Sequence, residues 1–125
     1  MLKINLIKLF NRYSILIFRS SSLGAFIFLT WGFWMVFTSV PDDYLQGVYV
    51  KIMYVHVPSA WLSLGLYCFL GLASFGFLVF RNPGLYMIAK SAGCVGAIFT
   101  IIALVTGSIW GFPTWGTWWV WDARL

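Results

Sequence analysis

Apolar positions along the chain gather into three long runs separated by short polar breaks. The first spans about 22–40 and ends at Pro41-Asp42-Asp43. The second spans about 58–80 and ends at Arg81-Asn82-Pro83-Gly84, and the third, about 91–110, follows Lys90. A bilayer core takes about 20 apolar residues per helix, and a backbone in lipid must satisfy its polar groups internally. Each run therefore predicts a transmembrane helix. Between the first two runs, Leu45, Val48, Tyr49, Ile52 and His56 recur at helical spacing, which predicts a short interfacial helix from Asp43 to Pro58. At 100° per residue His56 falls about 20° from Leu45, on the apolar stripe and turned away from water.

Composition agrees with this pattern. The chain has 125 residues, 62% of them hydrophobic and 9% charged, against roughly 25% charged in a soluble domain. The fold class predicted is an all-α membrane protein, a single transmembrane domain. It has three transmembrane helices, a basic N-terminal segment, a short outer interfacial helix and a tryptophan-rich outer segment at 110–125.

Charge sets the orientation. Eight Lys and Arg face three acids, a balance that in a soluble chain would suggest nucleic acid. Here Lys3, Lys8, Arg12 and Arg19 sit before the first span, where they touch anionic lipid and mark the inner side. With Arg81 and Lys90 they place six cations inside, against Lys51 and Arg124 outside. The positive-inside rule then puts the N-terminus in the cytoplasm and the first loop and tryptophan-rich end on the outer face. Met1 to Arg19 shows no cleavage site before the next span and reads as an amphipathic inner-face segment rather than a removed signal.

Candidate chemistry concentrates at the outer end. Five of the eight tryptophans, Trp110, Trp115, Trp118, Trp119 and Trp121, lie close together beside Asp122 and Arg124. Two readings are open from the residues. An interfacial belt suits the amphipathic indole. A platform for a planar ligand suits flat indole faces, with Arg124 supplying donors for carboxylates; haem has both a flat ring and two propionates. His56, the single histidine, is likewise either an interfacial hydrogen-bonded ring or a neutral imidazole for iron. Cys68 and Cys94 lie 26 positions apart inside apolar runs without a C-x-x-C or zinc spacing, and read as packing residues. No nucleophile–base set, paired carboxylates or phosphate loop appears, so the chain reads as a non-enzyme.

The run W-G-T-W-W-V-W-D-A-R-L, Trp115–Leu125, resembles the tryptophan-rich WWD signature of haem-handling proteins of cytochrome c maturation. The segment K-I-M-Y-V-H-V-P-S-A-W, Lys51–Trp61, resembles the first histidine-bearing segment of the haem exporter protein C (CcmC) family. The resemblance implies haem b, bound non-covalently and transiently. His56 would be an axial ligand of the haem iron, Trp115, Trp118, Trp119 and Trp121 the platform, Arg124 a propionate partner and Asp122 a support of that loop. It implies an inner-membrane protein, bacterial or, alternatively, mitochondrial, that hands haem to a periplasmic haem chaperone beside ABC-type transporter subunits and a small single-span subunit. Members of that family have six spans and a second axial histidine further on. The chain is therefore read as the N-terminal half, truncated or split. A non-functional fragment and, less favoured for so short a chain, a haem lyase-type enzyme are the alternatives.

Overall fold

A computed structural model describes the backbone of residues 2–121 and the side chains of residues 12–121. It contains three long helices: α1, Leu2–Thr38; α2, Met53–Phe80; and α3, Pro83–Trp115, with a five-residue 3-10 turn at Val48–Ile52 leading into α2. Each is long and apolar enough to cross a membrane. Among the described residues there is no strand, only an isolated bridge between Asp43 and Gly47. The chain forms two compact units, residues 1–40 and 41–125.

In the first unit, the basic N-terminal segment and the first span are one uninterrupted helix of 37 residues. At 1.5 Å per residue it is about 55 Å long, against about 30 Å for the hydrocarbon core. The basic N-terminal segment is thus continuous with the first span. Its hydroxyls turn inward: Thr30 donates to the carbonyl of Phe26 at 2.8 Å and Thr38 to that of Trp34 at 2.7 Å. Such back-bonding satisfies a hydroxyl where lipid offers no partner. The helix ends before Val40-Pro41, because a proline disfavours helical backbone in the residue before it.

The second unit begins with a turn where the sequence pattern predicts a helix. Asp43 Oδ1 accepts from the amides of Leu45 at 2.9 Å and Gln46 at 2.8 Å. Asp43 and Gly47 exchange backbone hydrogen bonds of 3.1 and 2.9 Å. Gly47 has φ +58° and ψ −138°, a conformation that side chains with a Cβ rarely adopt. Helical structure therefore starts only at Val48, and Leu45 lies 87% exposed on the turn instead of leading an apolar stripe. The 3-10 turn passes directly into α2, so Pro58 stands inside that helix and not at its first position.

Helices α2 and α3 are joined by two residues. Arg81 closes α2 in the left-handed conformation, its amide bonding the Phe77 carbonyl at 2.8 Å. Asn82 then caps α3, its side chain accepting from the Gly84 amide at 2.8 Å, with Pro83 at the first helical position, where a missing N–H costs nothing. This cap starts α3 at Pro83, eight residues before the apolar run suggests. The two helices meet through small residues: Ser59, Ser63 and Ala73 of α2, and Ala89, Ala92 and Gly96 of α3 are buried. Small residues permit close approach in lipid, where large apolar side chains gain nothing by leaving the hydrocarbon. The consequence is a rigid hairpin whose two far ends, the start of α2 and the end of α3, lie side by side.

Candidate functional site

Those adjoining ends hold the histidine. His56 lies in the first turn of α2 and is partly buried, with Nδ1 3.0 Å from the carbonyl oxygen of Ala103 and 3.2 Å from Thr106 Oγ1, both on α3. Its ring faces the partner helix, as a position turned away from water requires. Gly107 makes room for it: a Cβ on that residue would stand 2.9 Å from His56 Cε1.

One turn further along α3, the indole of Trp110 packs against the imidazole, with centroids 5.9 Å apart and planes at 43°. Its Nε1 donates to Gln46 Oε1 at 2.9 Å, so the Asp43 turn is tied to the end of α3. Beside it, Lys51 and Asp42 form an ion pair of 3.0 Å. The Asp43 carboxyl is held below its ordinary pKa, first by the Gln46 amide and then by that of Leu45. Among the described residues, the acids of this loop are therefore paired or capped.

The other wall comes from the chain folding back. Helix α3 ends at Gly116, whose φ of +74° is a left-handed cap of the kind glycine supplies. Residues 117–120 return toward the helix. Trp115 meets Trp110 at 6.0 Å and 58°, and Trp118 stacks on Phe112 at 4.4 Å and 18°. Between these walls lies a cavity of about 600 Å³, within the range of about 300–1,000 Å³ usual for sites that take small molecules and cofactors. His56 lines it with Trp110, Trp115, Trp118 and Trp119, and its deeper part reaches Ser63 and Thr100, whose hydroxyls lie 2.6 Å apart.

The residues marked by the sequence are distributed as follows. Trp115, Trp118 and Trp119 line the same cavity as His56. Trp121 is 87% exposed and meets Trp119 edge-on at 5.4 Å. Asp122 and Arg124 lie outside the described residues. Trp110, which the family resemblance leaves outside the platform, packs directly on the histidine. Gln46, Ala103, Thr106 and Gly107 carried no motif. The available signals were slight: Gln46 is the single glutamine of the chain, and Gly107 follows a threonine inside an apolar run.

Chemically the cavity offers one imidazole, flat aromatic walls and few polar atoms. Among the described residues no group of three His, Cys, Asp or Glu could hold a bare metal ion. Cys68 and Cys94 are unpaired and exposed on their helices. A large flat apolar molecule bearing one ligatable metal centre fits this donor set; a hydrated cation does not.

Comparison with known proteins identifies the family. The family model for heme exporter protein C matches residues 3–125. Heme exporter protein C of Bradyrhizobium diazoefficiens is 56% identical over 85 residues, 68% of this chain and 32% of the relative. A cytochrome c biosynthesis ccmC-like mitochondrial protein of Marchantia polymorpha is 49% identical over 85 residues, 68% of this chain and 37% of its own. Heme exporter protein C of Escherichia coli is 45% identical over 104 residues, 83% and 42% of the two chains. The chain thus spans less than half the length of the curated relatives it matches.

Proposed function

Because the chain belongs to the heme exporter protein C family, we propose that it binds haem at the outer face of the membrane and hands it on during cytochrome c maturation. The coarse part of this reading, a multi-pass membrane component of haem transport, is supported by the family and by three helices long and apolar enough to span a membrane. The finer part concerns the site. One observation carries it: the single histidine shares a cavity of haem-compatible size with Trp110, Trp115, Trp118 and Trp119.

In this reading haem is cargo. His56 coordinates the iron from one side, and the indole faces hold the ring by dispersion and stacking. Trp121 adds a further indole, and Arg124 and Asp122, which lie outside the described residues, take the roles the family resemblance implies, a propionate partner and a support of its loop. No covalent bond forms with the protein, and the molecule acts as a carrier for haem b and not as a catalyst. A site built from stacking and one axial bond releases its cargo readily. The recipient is a periplasmic haem chaperone, and the assembly includes ABC-type transporter subunits and a small single-span subunit. The membrane is the bacterial inner membrane, with the mitochondrial inner membrane as the alternative that the Marchantia relative supports.

The visible absorption spectrum of the chain, purified in mild detergent beside His56→Ala, tests the proposal. A Soret band that weakens or shifts in the variant is expected. Identical spectra for the two proteins would remove His56 from the site.

A further inference from the structure

The hydrogen bonds at His56 decide more than its position. Ala103 contributes a carbonyl, which only accepts, and it lies 3.0 Å from Nδ1. The proton must therefore be on Nδ1. Thr106 is consistent with this: its hydroxyl donates to the carbonyl of Ile102 at 2.7 Å, leaving a lone pair toward Nδ1 at 3.2 Å. A neutral imidazole carries one N–H, so Nε2 keeps its lone pair. Among the described residues no hydrogen bond engages Nε2, and no buried polar side-chain atom lacks a partner, so Nε2 is reachable from the cavity that His56 lines.

Gly107 supplies an independent observation. It lies inside α3 with ordinary helical φ, so no backbone strain calls for glycine there, and glycine is a poor helix former. What it provides is space. An added Cβ would lie 2.9 Å from His56 Cε1 and 3.4 Å from Nδ1, in the volume the ring occupies.

We propose that Thr106 and Gly107, with the Ala103 carbonyl, form a seat that locks His56 in the Nδ1–H tautomer and presents Nε2 as the iron-binding atom. Thr106 and Gly107 are positioning residues; neither touches the cargo iron. This inference rests on the reading of His56 as a haem ligand. Its physical basis is that ligation requires a lone pair on a defined ring atom. The other nitrogen of a metal-bound histidine commonly donates to a carbonyl or similar acceptor, which fixes tautomer and ring plane.

His56 is the single histidine of the chain, so ¹⁵N-histidine labelling yields one imidazole signal. In the haem-free full chain in detergent, at a pH where the ring is neutral, the expected spectrum shows Nδ1 protonated and Nε2 bare. A protonated Nε2 overturns the proposal without any mutation. Haem titrations then follow Thr106→Val, which keeps the shape but removes the acceptor, Thr106→Ser, which restores it, and Gly107→Ala. Thr106→Val should weaken haem retention about 10- to 100-fold, the usual effect of losing such a partner, and shift the Soret band. Serine should recover both. Wild-type affinity and spectrum in Thr106→Val and Gly107→Ala, with the band lost in His56→Ala, would sink the seat but leave His56 as ligand. Wild-type behaviour of His56→Ala would sink the ligand reading itself.

Discussion

The smallest features of this molecule with the largest consequence are single polar atoms placed in apolar surroundings. The Gln46 amide oxygen is one: it satisfies the indole N–H of Trp110 from a loop 64 positions away in sequence. Gln46→Leu would leave a part-buried donor unpaired, at a cost of about 1–3 kcal/mol. We expect Trp110 to lose its fixed tilt against His56, read as a weaker haem affinity and a red-shifted tryptophan emission; an unchanged emission would count against the tie. The hydrogen bond between Ser63 and Thr100 looks stronger at 2.6 Å, yet such pairs within membranes average only about 0.6 kcal/mol. Ser63→Ala should therefore lower hairpin stability by no more than about 1.7 kcal/mol in a denaturant titration. A larger loss would mean that the pair organises the deep end of the cavity.

Helices and turns obey different rules here. The hairpin depends on close approach: Gly96 lies where a Cβ would meet Leu66 Cβ at 3.5 Å. Gly96→Leu should overpack the interface by about 1–3 kcal/mol, visible as a lower midpoint of unfolding. The loop before α2 depends instead on one carboxylate. Backbone amides of Gln46 and then Leu45 lower the pKa of Asp43 below its ordinary value. The folded form therefore prefers the ionised group. Its stabilising effect is complete above the ordinary carboxylate pKa and is lost as pH falls through the lower, folded value. The protection of the Leu45 and Gln46 amides against hydrogen exchange, taken relative to the intrinsic rate at each pH, should fall on acidification through that range. Asp43→Asn, which keeps an acceptor oxygen without a titrating charge, should show no such loss of protection. The same elements mark where helical periodicity misled. Leu45 matches the apolar spacing of a helix, but the turn closed by Asp43 and Gly47 occupies its position, because side-chain bonding and a positive-φ glycine outweigh the first position of the pattern.

At the scale of the molecule, the cations and the aromatic cavity define two ends of the α2–α3 hairpin. Arg81 and Lys90 lie near the connecting turn, while Lys51, Trp110 and the returning segment lie at the other end. The positive-inside bias then predicts that a thiol introduced by Tyr44→Cys, at a site 97% exposed, reacts with an impermeant maleimide added outside intact cells. A thiol introduced by Asn82→Cys should react only after the membrane is opened. Both reactions require a background lacking Cys68 and Cys94, and the reverse pattern would invert the topology.

The sequence by itself determined the membrane class, the number of apolar helices and the family. Hydrophobic length and composition are local quantities that lipid reads directly, and the tryptophan-rich run and the histidine segment are contiguous motifs. The sequence also predicted that the ring of His56 turns away from water, and the structure places it partly buried against α3. What tertiary structure decided was which atoms surround that ring. Ala103, Thr106, Gly107 and Trp110 reach it because a two-residue turn brings α3 back beside α2, and Gln46 reaches Trp110 because an Asp-capped turn replaces the first turn of the expected helix. Those contacts join positions 47 to 64 residues apart. No local periodicity encodes such pairings; they follow from helix register and close packing across the hairpin.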